Sequence, residues 1–185
     1  RFKSVVVASD GIYAAGYVYG SSFAYDFGNG KTITINNGDS ISNIVLVKYD
    51  LNGVAQWATS VASGPSYTSF NSVSLGSDGV YAGGFISGNT AEYDFNNGKK
   101  ITVNNGFVEN ALLVKYDSNG SAQWIKSISG GSGISEYYSA ATENGCVYAA
   151  GYVAGGSTAY DFGNGKTIAE NNANTQNIVL VKYDL

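Results

Sequence analysis

A lysine recurs inside an otherwise apolar strand at a spacing of about 67 residues, and it is the most unusual repeated charge in the chain. A buried ammonium group without a partner costs a great deal of free energy, so we expect each lysine to pair with a carboxylate or carbonyl of its own repeat. The alternative is that the lysine belongs to an active site, and we favour the structural ion pair over it. The lysines are Lys48, Lys115 and Lys182, and the expected partners are Asp26, Asp94 and Asp161.

Those three aspartates have a second possible role. Each stands near an asparagine that recurs in phase, so their oxygens are weak candidates for one calcium site per repeat. The alternative is that each carboxylate caps a turn by accepting backbone N–H groups. The sequence has no calcium loop of EF-hand type, so we expect turn capping and no cofactor. The asparagines are Asn29, Asn97 and Asn164.

The composition excludes several kinds of catalysis. The chain has no histidine, which rules out Ser-His-Asp triads and histidine-ligated metals. The single cysteine, Cys146, takes the place of Ile12 and Val80, which predicts a small core residue. Carboxylate-pair glycosidase chemistry would need acids that do not repeat, and we expect them to be solvated. We therefore predict that the protein is not an enzyme. These acids are Glu92, Glu109, Glu136, Glu143 and Glu170.

Aromatic residues fall into two groups. Most of the 15 tyrosines and both tryptophans, Trp57 and Trp124, recur in phase, which indicates packing between repeats. Tyr19, Tyr67 and Tyr138 lie outside the pattern and are weak candidates for an exposed recognition surface. They are the basis of an alternative function, a lectin-like carbohydrate-binding protein.

The elements that must position these residues are short strands. An apolar run ending in Lys-Tyr-Asp occupies 43–50, 110–117 and 177–184, and its length suits a strand buried on both faces. Upstream, a strand–turn–strand pattern predicts a two-residue type I′ hairpin in each repeat. A glycine inside the second strand of each repeat predicts close approach of another backbone. The turns are Asp10-Gly11, Asp78-Gly79 and Asn144-Gly145, and the glycines are Gly16, Gly84 and Gly151.

An insert containing Asn-Gly adds a second tight hairpin to every repeat. Four antiparallel strands plus this hairpin favour an all-β β-propeller with blades of about 67 residues. We place the blades at 1–67, 68–134 and 135–185, the third without its last strand. A parallel β-helix is the alternative, but tight hairpins disfavour it because they demand antiparallel neighbours.

Three motifs recur in this order: Asp-Gly-(Ile/Val)-Tyr-Ala-Ala-Gly-Tyr, Asp-Phe-Gly-Asn-Gly, and Leu-Val-Lys-Tyr-Asp-x-Asn-Gly-x-Ala-Gln-Trp. Together they resemble the bacterial SBBP-type β-propeller repeat family, and they span nearly the whole chain. The resemblance implies a secreted, periplasmic or cell-surface protein of the kind also found in spirochaetes. It transfers no catalytic residue. The longer insert departs from the shorter repeats of that family.

The charge pattern limits the possible partners. The net charge is −4, and Lys99-Lys100 is the only adjacent basic pair, so we predict no nucleic-acid binding. No apolar run approaches the roughly 20 residues of a membrane span.

Three blades are fewer than the roughly four to eight of a closed propeller, and strand 178–183 would have an unpaired edge. We therefore expect further blades, a protein partner or a homo-oligomer, with a glycan as the alternative ligand.

Overall fold

The structure is a computed structural model and describes residues 1–20, 24–35, 41–64, 67–88, 91–103, 108–155, 158–169 and 175–184. Within those ranges the chain is all-β, has no helix, and pairs its strands in antiparallel fashion. The parallel β-helix is therefore wrong, and the antiparallel prediction is confirmed. No helix in these ranges is long and apolar enough to cross a membrane.

The first repeat forms a four-stranded sheet in the order β1-β2-β5-β6 and a separate two-stranded hairpin, β3-β4. The Val/Ile/Leu-rich strand β5 lies in the interior of the sheet, as its apolar run predicts. The strands are β1 (Phe2–Ala8), β2 (Gly11–Tyr19), β3 (Ala24–Asp26), β4 (Thr32–Thr34), β5 (Ser42–Tyr49) and β6 (Ala55–Thr59).

The second repeat has the same layout, with the sheet β7-β8-β11-β12 and the hairpin β9-β10. Its strands are β7 (Thr68–Gly76), β8 (Gly79–Ser87), β9 (Ala91–Asp94), β10 (Lys100–Val103), β11 (Glu109–Tyr116) and β12 (Ala122–Ser127).

The third repeat forms the sheet β14-β15-β18, and its hairpin β16-β17 is extended by β13. Strand β13 lies in the segment assigned above to the second blade, yet it pairs with β16, so the hairpin of the third repeat also holds the preceding linker. The strands are β13 (Ser129–Gly130), β14 (Ile134–Glu143), β15 (Cys146–Ala154), β16 (Tyr160–Asp161), β17 (Thr167–Ile168) and β18 (Gln176–Asp184).

The first two strands of every repeat are joined by a two-residue turn, as expected, but the turn residues differ. Asn144 and Gly145 have φ values of 49° and 74°, so only the third repeat has the predicted type I′ turn. In the first repeat Ala8 pairs with Gly11, which makes Ser9-Asp10 the turn and Gly11 the first residue of β2. Gly79 has the same place in the second repeat.

Gly11 is required for a different reason from the one the turn pattern suggested. Its φ is +146°, and a Cβ there would lie 2.4 Å from the backbone oxygen of Tyr49. Glycine is therefore needed here because it permits β5 to approach the start of β2. A role in the turn itself, as predicted, would not have required this close approach.

The predicted Asn-Gly turns of the insert are present. Asn29 and Gly30 both have positive φ, and the N–H of Lys31 donates to the oxygen of Gly28 at 3.0 Å. Each hairpin is held to its sheet by a tyrosine hydroxyl that donates to the carbonyl oxygen six residues earlier. These pairs are Tyr25 to Tyr19, Tyr93 to Ser87, and Tyr160 to Ala154.

The sheets pack against each other in chain order. One apolar cluster joins the first repeat, through Ile44 and Leu46, to Phe70 and Val114 of the second. An equivalent cluster joins Leu113 of the second repeat to the third. The same face of each sheet therefore contacts the opposite face of the next. No closed barrel or propeller is formed by the described strands.

Candidate functional site

The first strand of each repeat carries a β-bulge at the same place. The register of β1 against β2 shifts between Phe2 and Ser4, which leaves Lys3 as the extra residue. The same shift leaves Asn71 in β7 and Tyr138 in β14. A bulge re-aims its extra side chain, so three chemically different residues take equivalent positions on one framework.

A glycine faces each bulge. A Cβ at Gly16 would lie 2.0 Å from the oxygen of Arg1, and a Cβ at Gly84 would lie 1.9 Å from the oxygen of Ser69. The corresponding distance at Gly151 is 1.8 Å, to the oxygen of Glu136. The predicted close backbone approach is thus confirmed, and the approaching backbone belongs to the bulged strand of the same sheet.

The bulged residues are linked across repeats. The ammonium group of Lys3 donates to Oδ1 of Asn71 at 2.7 Å, and Nδ2 of Asn71 donates to the backbone oxygen of Tyr137 at 2.9 Å. The Lys3 ammonium also lies 5.3 Å from the ring centroid of Tyr17. A polar chain therefore runs from the first repeat to the third.

Two carboxyl groups from different repeats meet beside this chain. Glu136 of β14 interacts electrostatically with Glu109 of β11 and with the amide of Asn71. Burial and the neighbouring carboxyl group of Glu109 raise the pKa of Glu136 to about 7, while Lys3 acts in the opposite direction. The expectation that these two acids are separate solvated residues is wrong, because the inner strands bring successive repeats together.

Two tyrosines complete the arrangement. The rings of Tyr138 and Tyr152 stack with centroids 5.7 Å apart and planes 18° apart, and the Tyr138 side chain remains 57% exposed. The Tyr138 hydroxyl also interacts with Glu136. We call this set the bulge-end surface, and its members are Lys3, Asn71, Glu109, Glu136, Tyr138 and Tyr152.

A groove of about 250 Å³ adjoins the bulge-end surface and shares Lys3 with it. The two other tyrosines predicted to be exposed, Tyr19 and Tyr67, line this groove and are 55% and 48% exposed. Phe85 and Tyr17 complete its aromatic lining. The exposure predicted for all three out-of-phase tyrosines is therefore confirmed.

The bulge-end surface was not predicted as a unit. A signal for it does exist: the pattern aromatic-x-Ser occurs at 2–4, 70–72 and 137–139, with a different central residue each time. The aromatic and serine residues recur while the residue between them varies, as expected for a bulge residue that takes no part in the hydrogen bonds between the strands. The contact between Glu109 and Glu136 had no local signal, because it depends on how two sheets pack.

The repeated lysines have partners other than those expected. Lys48 lies 2.7 Å from Asp10, and Lys115 pairs with Asp78. The antiparallel pairing of β2 with β5 places Tyr13 opposite Lys48, close to the turn that carries Asp10. The choice of Asp26, Asp94 and Asp161 as partners is therefore wrong, although a carboxylate partner in the same repeat was correctly expected.

The third lysine differs because its turn differs. Asn144 replaces the turn aspartate of the other repeats and has no charge, so Lys182 pairs with Asp184 at 2.8 Å instead. In the first two repeats the turn aspartate also accepts a tyrosine hydroxyl, from Tyr13 at 2.7 Å in the first. The hydrogen bonds from Lys48 and from Tyr13 lower the pKa of Asp10. In the first two repeats these ion pairs join a strand to the turn before its neighbour, whereas Lys182 and Asp184 belong to the same strand.

The aspartates of the insert cap turns. Oδ1 of Asp26 accepts the N–H of Gly28 at 2.8 Å, and Asp94 and Asp161 accept equivalent N–H groups at the same distance. This is the Asx-turn alternative. No group of three or more acidic, cysteine or histidine side chains able to hold a metal occurs among the described residues.

The tryptophans pack as in-phase aromatics should. The indole N–H of Trp57 donates to the backbone oxygen of Ser118 in the next repeat at 2.9 Å, and its ring packs against Gly120. Its ring also meets that of Tyr13 edge to face at 6.0 Å, and Trp124 meets Tyr81 at 5.8 Å. Packing between repeats is confirmed for Trp57.

Cys146 was predicted to be a core residue, and this prediction is wrong. It lies half-buried at the end of its sheet, and its thiol donates to Asp184 at 3.4 Å. Among the other acids, Glu92 pairs with Lys100 at 2.8 Å and Glu143 is exposed. Glu170 lies outside the described residues.

No protein-family model matches this chain, and no curated protein matches it either. The resemblance to SBBP-type repeats therefore stays a prediction that rests on the motifs alone.

Proposed function

We propose that this chain is a non-catalytic β-propeller repeat module that acts as a scaffold by binding further repeats of its own kind. When this chain is alone in solution, its partner is a second copy of the chain joined head to tail. A secreted, periplasmic or cell-surface location is part of the proposal and rests on the resemblance to SBBP-type repeats.

The blade interpretation is supported by how the sheets follow one another. Each repeat is a meander with a hairpin inserted between its second and third strands. The first strands β1, β7 and β14 contact each other in sequence. Side chains also connect them: the hydroxyl of Ser4 accepts the N–H of Val73 at 3.1 Å, and the hydroxyls of Ser74 and Thr142 lie 3.1 Å apart. Adjacent first strands are the arrangement found around the axis of a propeller.

The observation that carries the proposal is the open face of β18. Ile178 and Leu180 are 91% and 72% exposed. Their equivalents in the first repeat, Ile44 and Leu46, are fully buried by the repeat that follows. A large apolar side chain left in water forgoes about 1.5–3 kcal/mol of burial free energy. The face of β18 therefore has the chemistry of a repeat–repeat interface without a neighbour among the described residues.

The opposite face of the first repeat complements it. Val5 and Val7 of β1 are 63% and 64% exposed, whereas the equivalent Val73 is 7% exposed because the first repeat covers it. The two open faces are the same two faces that meet at both internal interfaces. A second copy can thus repeat an interface that the chain already contains.

The edge of β18 points to the same partner. In the first two repeats this edge is covered by β6 or β12, whose alanines Ala55 and Ala122 are buried. Beside β18 there is instead a groove of about 510 Å³, bounded by the hairpin β16-β17. Asn164 bonds the backbone oxygen of Lys182 there, whereas Asn29 bonds the oxygen of Ala55. An apolar edge that no described strand covers is a template for another strand.

The test is the mass of the purified chain in solution, measured by light scattering at tens of micromolar. We expect a dimer or a larger closed ring. Leu180→Lys places a charge on one open face, and Val5→Lys places a charge on the other. Each variant should therefore be a monomer. Leu51→Lys, at a turn residue that is 59% exposed and lies on neither open face, is the matched control and should leave the mass unchanged.

Mixing the two monomeric variants distinguishes head-to-tail assembly from pairing of like faces. Each variant retains the face that the other has lost, so an equimolar mixture should form a heterodimer with one intact junction. Circular dichroism melts establish that both variants are folded. A wild-type chain that stays monomeric at these concentrations contradicts the proposal, and so does a mixture that forms no heterodimer.

A further inference from the structure

The bulge-end surface combines an open aromatic ring with hydrogen-bonding groups of both kinds. Tyr138 is supported on one side by Tyr152, and more than half of its side chain is in contact with solvent. Ring faces carry negative charge, and the C–H groups on a sugar ring carry slight positive charge, so the two stack favourably. A rigid, supported tyrosine loses little conformational entropy on binding.

The polar groups around this ring suit neighbouring hydroxyls. Each hydroxyl of a sugar both donates and accepts, so a site that holds two adjacent ones needs donors next to acceptors. Lys3 offers donors only, and the amide of Asn71 offers both kinds. The carboxyl groups of Glu136 and Glu109 add further hydrogen-bonding oxygens.

The charges of this surface oppose one another. The pKa of Glu136 is raised to about 7, so about half of these carboxyl groups hold their proton in neutral solution. Lys3 adds one positive charge, and Lys3 and Glu109 are the charged groups that act on Glu136. A site that holds both signs of charge has little net attraction for an anion or a cation, which favours a neutral ligand.

The neighbouring groove extends the surface. It has Lys3 in common with the bulge-end surface and presents Tyr19 and Tyr67 at its rim. Its volume of about 250 Å³ is below the roughly 300–1,000 Å³ of pockets for drug-sized molecules, so it suits one small ring. Aromatic residues at both places favour a ligand with several rings over a single sugar.

We infer that the bulge-end surface and the adjoining groove bind a neutral oligosaccharide, with one sugar ring stacked on Tyr138 and its hydroxyls bonded to Asn71, Glu109 and Glu136. This activity is separate from the assembly proposed above. It uses the bulged end of β1, where Lys3 lies, and the ends of β7, β11 and β14. Assembly uses the outer-face side chains of Val5 and Val7 in β1 and of Ile178 and Leu180 in β18.

The experiment is isothermal titration calorimetry of the intact chain at pH 7 with four neutral probes: chitopentaose, cellopentaose, maltopentaose and mannopentaose. Sialyllactose and a heparin hexasaccharide serve as anionic probes. We expect at least one neutral probe to bind. Tyr138→Ala and Glu136→Ala should each weaken it about tenfold or more, because each removes a direct contact.

Two further variants make the result specific. Tyr138→Phe keeps the ring and should retain most of the affinity. Glu143→Ala, at the opposite end of the same strand, is the matched control for Glu136→Ala and should leave the affinity unchanged. If the Glu136→Ala variant unfolds below the assay temperature, the affinity of the Tyr138→Ala variant still tests the inference, because Tyr138 is exposed and its replacement should not unfold the protein.

Three results would overturn the inference. They are the absence of binding by all four neutral probes at millimolar concentration, binding by the anionic probes alone, and neutral binding that Tyr138→Ala leaves unchanged. None of them alters the expected mass of the chain in solution, so this inference and the assembly proposal fail separately.

Discussion

The hydroxyl groups of Tyr137 and Tyr183 lie 2.8 Å apart in the core of the third repeat, and Tyr183 also donates to the backbone oxygen of Phe162. The second repeat has Phe70 and Tyr116 at the same two positions, with ring centroids 6.2 Å apart. The hydroxyl of Tyr116 has no hydrogen-bond partner among the described residues, and burial raises its pKa. One phenylalanine thus leaves a buried donor unsatisfied.

We predict opposite results for the same substitution at these two tyrosines. Tyr116→Phe removes a buried hydroxyl that has no partner, so the free energy of unfolding should stay the same or rise by up to about 1 kcal/mol. Tyr183→Phe breaks bonds to Tyr137 and Phe162, and should cost about 1–3 kcal/mol. Urea denaturation measures both. A larger loss for Tyr116→Phe than for Tyr183→Phe would contradict the assignment.

The glycine opposite a bulge should be far less tolerant than its neighbour. Gly84→Ala would place a Cβ 1.9 Å from the oxygen of Ser69, a backbone atom that cannot rotate away, so we expect a loss of about 3 kcal/mol or more. In Gly83→Ala the nearest atom to the new Cβ is the Ser72 hydroxyl oxygen at 3.0 Å, and the other neighbours lie at ordinary contact distances of 3.6 and 3.7 Å, so the cost should be less than about 1 kcal/mol. Thermal melting of the two variants side by side decides the point, and equal losses would refute it.

The lysine ion pairs should contribute little. In Lys115→Met the stem is kept and the pair with Asp78 is lost, and since the Asp78 side chain is 42% exposed we expect a cost of about 0.5–1 kcal/mol. Lys182→Met, whose partner is 82% exposed, should have no measurable effect. Lys115 lowers the pKa of Asp78 below its usual 3.8, so the cost should vanish as the pH falls through that lowered pKa. A cost that stays constant as the pH is lowered from 7 until the protein unfolds in acid would contradict this explanation.

The carboxyl pair should make the protein less stable as the pH rises. A carboxyl group whose pKa is raised in the folded state holds its proton more tightly there than in the unfolded chain. For Glu136 the stabilisation is complete below about pH 4.5 and is lost as the pH rises to about 7. Solvent reaches part of the pair, so we expect a loss of about 1–2 kcal/mol over that interval.

Glu136→Gln should remove that pH dependence while keeping the shape of the side chain. The variant should match the wild type at pH 4.5 and exceed it in stability at pH 8, as measured by urea denaturation. Glu143→Gln, at an exposed position of the same strand, is the control and should follow the wild-type curve. Parallel curves for wild type and Glu136→Gln would show that Glu136 does not titrate in this range.

Local rules in the sequence were enough to predict much of the fold. Asn144-Gly145 and Asn29-Gly30 form turns because their backbone demands are met within a few residues. Gly84 marks a close approach because only a missing side chain allows it. The period identifies the stacked sheets, since each repeat buries an apolar face that it cannot cover alone.

The contacts that depend on register or on packing between sheets could not be predicted in this way. The partner of Lys48 follows from the register of β2 against β5, which places the lysine near Asp10 rather than Asp26. The meeting of Glu109 and Glu136 follows from the distance between two sheets, and no spacing in the sequence encodes it. The bulge was present as a motif, but its significance becomes visible only when the strands are paired.

The bulge also separates what varies from what is kept. At Lys3, Asn71 and Tyr138 the flanking aromatic and serine residues take part in the strand pairing, and Phe70 and Tyr137 are also buried, while the central residue does neither. A substitution there changes surface chemistry without disturbing the sheet that carries it. An array of such repeats is therefore a row of display positions, in which new binding preferences can evolve one residue at a time while the scaffold stays the same.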